Sequence, residues 1–344
     1  MTAASRSVAI VICAYTEERW DQLLAAYGSL LGQAGEPPEI VVVIDHNPAL
    51  LQRLSSELPH ARILSNTGSA GLSGARNTGV AATTAEIVLF LDDDAIAGPD
   101  WLRHITSPFA DPAVQGVAGW ATPQWGPSGR PRWFPESFLW VVGCSYEGLP
   151  DEQSDVRNPL GCAMGFRRSA WALVGGFSDT LGRVGTHPIG CEETEFSIRL
   201  RRATPSARIV MVPNAIVEHR VAESRLSVKY FLARCYWEGV SKSVVSASAG
   251  SRDALESERP YISRVLPRAF GRGILESVRG DLSGCARSMA LAAGLVATTA
   301  GFLRGRVEGS RDAPPIGWSQ PLGKELSMAD RTGGPDPGRR SADS

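Results

Sequence analysis

The sequence predicts an α/β fold built on a largely parallel central sheet, and three observations carry that prediction. Strand-length runs recur at residues 7–14, 39–45, 61–65 and 87–91, and those at 7–14, 39–45 and 87–91 are apolar almost throughout, as in a strand buried on both faces. Stretches that fit helices separate them, giving the strand–helix alternation of a parallel sheet with right-handed crossovers. Acidic residues then fall where these strands should leave the sheet, the rim at which open α/β sheets bind ligands.

At 344 residues, 43% hydrophobic and 21% charged, the chain can bury a sizeable core and is neither disordered nor fibrous. A formal net charge of −1 sets up no overall field toward nucleic acid or an anionic membrane, and no nucleic-acid partner is expected. The six cysteines are scattered without a CxxC pair, which argues against a zinc site or a disulfide scaffold and fits reduced thiols. The first apolar run is short and reads as a strand rather than a signal peptide, so a cytoplasmic chain is expected.

The first strand, residues 7–14, ends at Tyr15-Thr16-Glu17-Glu18. Leu23, Leu24, Tyr27, Leu30 and Leu31 at helical spacing predict a helix over 20–31. Residues 32–38 break it, and the second strand, 39–45, finishes on Asp45. A helix over 48–58 and a third strand at 61–65 follow, then a glycine-rich stretch at 66–77 that opens a helix with Ala75, Val80 and Ala81. The fourth strand, 87–91, runs directly into Asp92-Asp93-Asp94.

From 97 to 190 the pattern loosens. Recurring Pro, Gly and Trp, among them Trp120, Trp125, Trp133 and Trp140, predict loops rather than more regular sheet, either shaping a pocket or held by aromatic packing. A short strand at 161–167, helices at 169–174 and 192–202, strands at 207–212 and 215–219, and an aromatic helix over 228–246 come next. Residues 251–259 read as a polar linker. The apolar run 289–303, flanked by Arg287 and Arg304, is shorter than the roughly 20 residues that span a bilayer and fits an interfacial helix or one docked on the body. The chain thus divides into a main domain (1–250), a helical extension (251–304) and a disordered tail (305–344).

Asp92, Asp93 and Asp94 at a strand end offer the hard oxygen ligands that suit Mg²⁺ or Mn²⁺ bridging to a nucleotide's phosphates; the plain alternative is a solvated turn capping a helix near Pro99. Tyr15 and Asp45 at neighbouring strand ends can hold a nucleobase by stacking and by accepting a base N–H, or can be a rim residue and a helix cap. Residues 68–77 can cradle phosphate through backbone N–H groups, or form a flexible loop. Glu192, Glu193 and Glu195 suit a helix dipole, yet a carboxylate held near a hydroxyl is also a sound general base. His219 is either a third metal ligand or a satisfied surface histidine.

Taken in this order, the motifs resemble the family 2 glycosyltransferases. The resemblance covers residues 7–246. It rests on Ala14-Tyr15-Thr16-Glu17, Asp45, the 71–77 run, Asp92 to Asp94, the 161–168 stretch, Gly175-Gly176-Phe177 and Glu192-Glu193. It implies a GT-A nucleotide-diphospho-sugar transferase fold, with a mostly parallel central sheet flanked by helices and a C-terminal helical extension. The implied reaction is inverting, metal-dependent transfer of a sugar from a nucleoside-diphosphate sugar, UDP ahead of GDP, to a hydroxyl.

Residue by residue, the resemblance implies that Ala14, Tyr15, Glu17, Asp45, Gly71, Arg76, Asp92 and Asp93 bind the donor nucleotide. Asp92, Asp94 and His219 would hold Mn²⁺ or Mg²⁺, and Trp140, Gly161, Met164 and Arg183 would line the sugar and acceptor pocket. The family's base lies in a Glu-Asp pair, here Glu192-Glu193; Glu193 matches the base position, but its extra methylene leaves Glu192 open. The middle segment, from Trp133-Phe134-Pro135 through Asn158-Pro159, also resembles a subgroup acting on polyprenyl-phosphate-linked glycans. A glycan or polyprenyl-phosphate-linked acceptor, and peripheral contact with the inner face of the cell membrane, are expected accordingly. Two other classes predict different residues. A nucleotidyltransferase would carry a Gly-rich basic loop after the first strand, where residues 13–19 offer only Arg19, and a non-catalytic binder could dispense with the acids at 192–195.

Overall fold

The computed structural model describes residues 6–179, 181, 190–250, 255–256 and 258–309; Arg183 and most of the predicted tail lie outside them. Strands β1 (Val8–Ala14), β2 (Glu39–Ile44), β3 (Ala61–Ser65) and β4 (Ile87–Asp92) pair in parallel in the order β3-β2-β1-β4. The sequences of β1, β2 and β4 lack alternation because both faces are covered, whereas β3, at the sheet edge, leaves Arg62 and Ser65 exposed. Ile10 and Ile12 of β1 pack with residues of α1 (Trp20–Leu31) and α2 (Pro48–Leu54), while Val11 faces α3 (Leu72–Ala81). Gly79 lets α3 lie close to the sheet: a Cβ there would come within 2.5 Å of the Val11 side chain. The helix expected to reach residue 58 stops at Leu54.

Beyond β4 the sheet becomes mixed, with β5 (Ala95–Ala97), β6 (Val114–Trp125), β7 (Ser154–Asp155), β8 (Ala163–Arg167) and β9 (Arg208–Val221). Strand β8 runs antiparallel to β4 and β6, and β6 runs parallel to β9. Residues 114–125, expected as loop, are therefore a long strand. Its glycines hid it, and packing requires them: a Cβ at Gly116 would lie 2.7 Å from the Phe166 ring, and one at Gly119 2.8 Å from the Ala215 carbonyl. The two late strands are one, β9. Its pairing jumps from Ala118–Met211 to Trp120–Ile216, so Pro213 sits in a bulge where no ladder hydrogen bond is needed.

Helices α4 (Trp101–Thr106), α5 (Arg168–Val174), α6 (Glu192–Ala203) and α7 (Val228–Ala249) follow, then α8 (Leu266–Val278) and α9 (Ser283–Gly309). The aromatic stretch of α7 serves packing: Phe231 and Cys235 are buried with Phe134, Phe138 and Leu291. Residues 305–309, expected to begin the tail, instead continue α9. Glycines allow backbone contact between α9 and α7, since a Cβ at Gly239 would lie 1.9 Å from the Thr298 carbonyl and one at Gly301 1.9 Å from that of Tyr236. The helix is longer than the apolar run suggested, and Ser283–Val307 is long and apolar enough to cross a membrane by length and composition.

Candidate active site

The C-terminal ends of β1, β2 and β4, the turn before β8 and the start of α6 converge on one cleft with a volume of about 190 Å³. It has two walls. On the first, Asp92 closes β4, and Asp93 and Asp94 turn into the protein rather than into solvent, being 4% and 8% exposed. Neither caps a helix: α4 starts only at Trp101. His219 of β9 is buried, with Nε2 3.2 Å from Asp94 Oδ1. One ligand atom each from Asp92, Asp94 and His219 lies within 4.8 Å of the others. Two carboxylate oxygens and an imidazole nitrogen are a donor set that fits Mn²⁺ or Mg²⁺.

Cations surround these acids. Arg19, in the turn after β1, lies 2.7 Å from Asp93 and 3.2 Å from Asp94, and Arg225 lies 3.5 Å from Asp94. Burial alone would raise Asp94, but His219, Arg19 and Arg225 together hold it well below the usual carboxylate range. Burial likewise opposes charge on His219, and the Asp94 carboxylate outweighs it, lifting the imidazole to about 10; a metal ion held there would take the place of that proton. Asp93 moves the other way, up to about 7, through burial and the neighbouring charge of Asp94. Its Oδ2 has no hydrogen-bond partner among the described residues. Gly143, in a left-handed turn at φ +85°, lets the chain pass over His219; a Cβ would lie 3.0 Å from the ring.

The nucleoside end is built around Asp45. Its Oδ1 accepts from Asn66 Nδ2 at 2.7 Å and its Oδ2 from the Gly71 N–H at 2.9 Å. The cap of α2 is Asn47, so Asp45 is not a helix cap. The Gly68 N–H is likewise held, by Asn66 Oδ1 at 2.9 Å. Those two N–H groups therefore shape the loop around Asp45 and are not free to cradle phosphate. Tyr15 is 42% exposed on the rim, its ring 5.5 Å from the Arg19 guanidinium, and Ala14 lines the cleft beneath it. Glu17 is exposed in the turn after β1 and is not among the residues lining the cleft.

The second wall carries Glu192 and Glu193 at the start of α6, entered through Cys191 at φ +70°. Arg76 is buried behind it. Its guanidinium meets Glu192 at 2.7 Å, the Gly161 carbonyl at 2.9 Å and Asp92 at 3.5 Å, tying the two walls together. Glu193 forms no ion pair among the described residues. Burial, then the nearby Glu192 charge, push it up to about 8. Arg234 and Glu238 of α7 complete this wall; burial opposes the charge on Glu238, but Lys242 and Arg234 hold it down to about 2.

Trp140 lines the same wall, its Nε1 donating to Tyr261 Oη at 3.3 Å. A Cβ at Gly161 would lie 2.9 Å from the Arg76 guanidinium, so a larger residue there would have to displace it. Met164, expected in the pocket, is instead fully buried: it faces away from the cleft on β8 and packs with Phe90 and Phe166. Four cleft residues had no motif to announce them, Arg19, Arg225, Arg234 and Glu238. Their only signal was a cation or acid a few residues from a candidate strand end or on the aromatic helix.

Residues 9–173 match the family model described as Glycosyl transferase family 2. The chain is 31% identical over 242 residues to a glucosyl-dolichyl phosphate glucuronosyltransferase from Haloferax volcanii, covering 69% of this chain and 77% of that one. Among solved structures it is similar to a mannosyltransferase from Pyrobaculum calidifontis in complex with GDP-Man and Mn²⁺, with TM-score 0.55 and 16% identity over 88% of each chain. It is also similar to GalNAc-T7 with UDP, GalNAc and Mn²⁺, with TM-score 0.52 and 14% identity over 76% of this chain and 58% of that one. The two structures share the GT-A fold with this chain. The matched segment contains the Asp92–Asp94 wall, and the chain belongs to glycosyl transferase family 2 and is a glycosyltransferase.

Proposed function

We propose that residues 1–250 catalyse inverting, metal-dependent transfer of a sugar from a nucleoside-diphosphate sugar to a hydroxyl of a glycan or polyprenyl-phosphate-linked acceptor. One observation carries this reading. A carboxylate with no ion pair among the described residues, Glu193, lines the same cleft as the Asp92–Asp94–His219 cluster.

Tyr15 stacks on the base, and Asp45, pre-oriented by Asn66 and Gly71, accepts its N–H. Asp92, Asp94 and His219 would hold Mn²⁺ or Mg²⁺, which supplies charge stabilisation for the departing diphosphate. Arg19 and Arg225 add fixed positive charge at that end of the cleft. Glu193 takes the proton of the acceptor hydroxyl as its oxygen bonds to the anomeric carbon, and the bond from that carbon to the diphosphate breaks with its electron pair leaving on the diphosphate.

The competing candidates for base and nucleophile are disfavoured. Glu192 is engaged by Arg76, and Glu238 is held ionised between Arg234 and Lys242. Burial pushes the Cys13 thiol up to about 12 and raises Cys162 and Cys191, so none of these three cleft thiols is a ready thiolate. The relative's printed substrate, a glucosyl-dolichyl phosphate, supports a lipid-linked acceptor. Incubation with UDP- and GDP-sugars, Mn²⁺ and a polyprenyl-phosphate glycan, followed by NMR of the anomeric proton, tests the reading. Product with inverted configuration supports it, and retained configuration overturns the role given to Glu193.

A further inference from the structure

Helices α8 and α9 form a hairpin whose outer surface is unusually apolar. On α8, Phe270, Ile274 and Val278 are exposed at a spacing of four residues, with Leu275 beside them and Leu282 in the turn that follows. Val278 and Leu282 are 81% and 80% exposed. On α9, Met289, Val296, Leu303 and Val307 are exposed at intervals of seven, seven and four residues, which keeps them on one helical face. Burying such side chains in the protein would stabilise them, yet among the described residues the body covers only the opposite face. Leu266 and Gly273 of α8 and Leu291, Gly294 and Gly301 of α9 are the residues turned inward.

The charge beside this stripe identifies its partner. Arg264, Arg268 and Arg279 are exposed along the α8 run next to the apolar residues. The nearby acids are already engaged: Glu276 and Asp281 by Arg287, and Glu147 by Arg272. A helix with an apolar face edged by arginines that form no ion pair among the described residues suits the interface of an anionic bilayer. The whole chain's net charge of −1 conceals this local excess.

We propose that the α8–α9 hairpin lies flat on an anionic lipid surface, with Phe270, Ile274, Val278 and Leu282 inserted among the acyl chains and Arg264, Arg268 and Arg279 at the headgroups. Lying, rather than crossing, follows from the packing of α9. From Gly294 to Gly305 it is held against α7 and Phe138 by contacts too close for any Cβ, so one side of the helix is committed to the body. The same α7 carries Arg234 and Glu238 into the cleft, so the surface that meets lipid is fixed relative to the site. This deepens the lipid-linked acceptor reading, and its test reads binding alone, so either can fail without the other.

Flotation of the full chain with vesicles of phosphatidylcholine, with and without phosphatidylglycerol, provides the test. Binding is expected with phosphatidylglycerol and weak without it. Replacing Arg264, Arg268 and Arg279 together by Gln should weaken it about a hundredfold, at about fivefold per arginine. The triple change of Phe270, Ile274 and Val278 to Ser should weaken it at least about tenfold, with the thermal melt and Mn²⁺-dependent nucleotide binding retained as proof of folding. Failure of the parent chain to float, or flotation unchanged in both variants, overturns the proposal. A dimer in solution that the Ser variant dissociates, without vesicle binding by the parent, would assign the stripe to a second copy instead and equally overturn it.

Discussion

The two walls of the cleft are both acidic, yet their carboxylates are treated in opposite ways. On the aspartate wall, Asp94 is surrounded by His219, Arg19 and Arg225, and it stays ionised although buried. On the glutamate wall, Arg76 takes Glu192 and leaves Glu193 with no ion pair among the described residues and a raised affinity for protons. Asp94 on one wall is arranged to keep its negative charge, and Glu193 on the other is arranged to exchange a proton. The contrast teaches that residue type alone does not assign a role here; the cation that folding brings to each carboxylate does.

The largest effect that can break this contrast is expected from Glu193→Gln. Transfer should fall about a thousandfold, the scale of a lost general base, while Mn²⁺-dependent nucleotide binding stays within about twofold by calorimetry. If Glu192→Gln gave the larger loss of transfer with the fold intact, the two glutamates would have to exchange roles.

Next comes Asp94→Ala, which leaves His219, Arg19 and Arg225 facing one another without their shared acid. Chemical denaturation should register a loss of about 3 kcal/mol, and metal-dependent nucleotide binding should disappear. A variant as stable as the parent would show that the aspartate wall is not the charge-holding one.

Acidity sharpens the comparison further. A base whose folded pKa is about 8 is half-protonated there, so turnover should climb about tenfold per pH unit below that value and level off above it. The stability linkage runs the opposite way. Because the Glu193 pKa is raised in the folded state, its contribution is full below the unfolded value and is lost as pH rises through about 8. Glu193→Gln should therefore melt higher than the parent at pH 9 and about the same at pH 4. Equal melting temperatures at both would place Glu193 in water.

The smallest effect is expected at the back of the glutamate wall. Gly239→Ala brings a Cβ to 1.9 Å from the Thr298 carbonyl and must part α7 from α9, at about 1–3 kcal/mol. It should raise the KM for acceptor while leaving metal and nucleotide affinity unchanged, because α7 supplies Arg234 and Glu238 but no aspartate-wall acid.

Much of this was legible in the chain. Strands β1, β2 and β4 announce themselves because each is apolar on both faces, and their carboxyl ends locate Tyr15, Asp45 and Asp92–Asp94. Strand β6 did not, because Gly116, Gly119 and Pro123 interrupt its pattern for reasons of packing that no short window contains. Arg76 was legible as a cation near the site, but its partner Glu192 lies 116 residues away, and that pairing is what separates Glu192 from Glu193. Arg19 and Arg225 belong to no motif and acquire meaning only when folding sets them against Asp93 and Asp94. Met164 shows the converse error: it sits in a motif stretch, but the two-residue period of β8 turns it into the core.

The division of labour between the walls is tested most directly by calorimetry of UDP and GDP binding, with and without Mn²⁺, to the parent chain, Asp94→Ala and Glu193→Gln. Two walls with separate tasks predict that one nucleotide binds tightly only with Mn²⁺, equally well to the parent and Glu193→Gln, and not to Asp94→Ala. Binding that needs no metal, or that survives Asp94→Ala and is lost in Glu193→Gln, would contradict it.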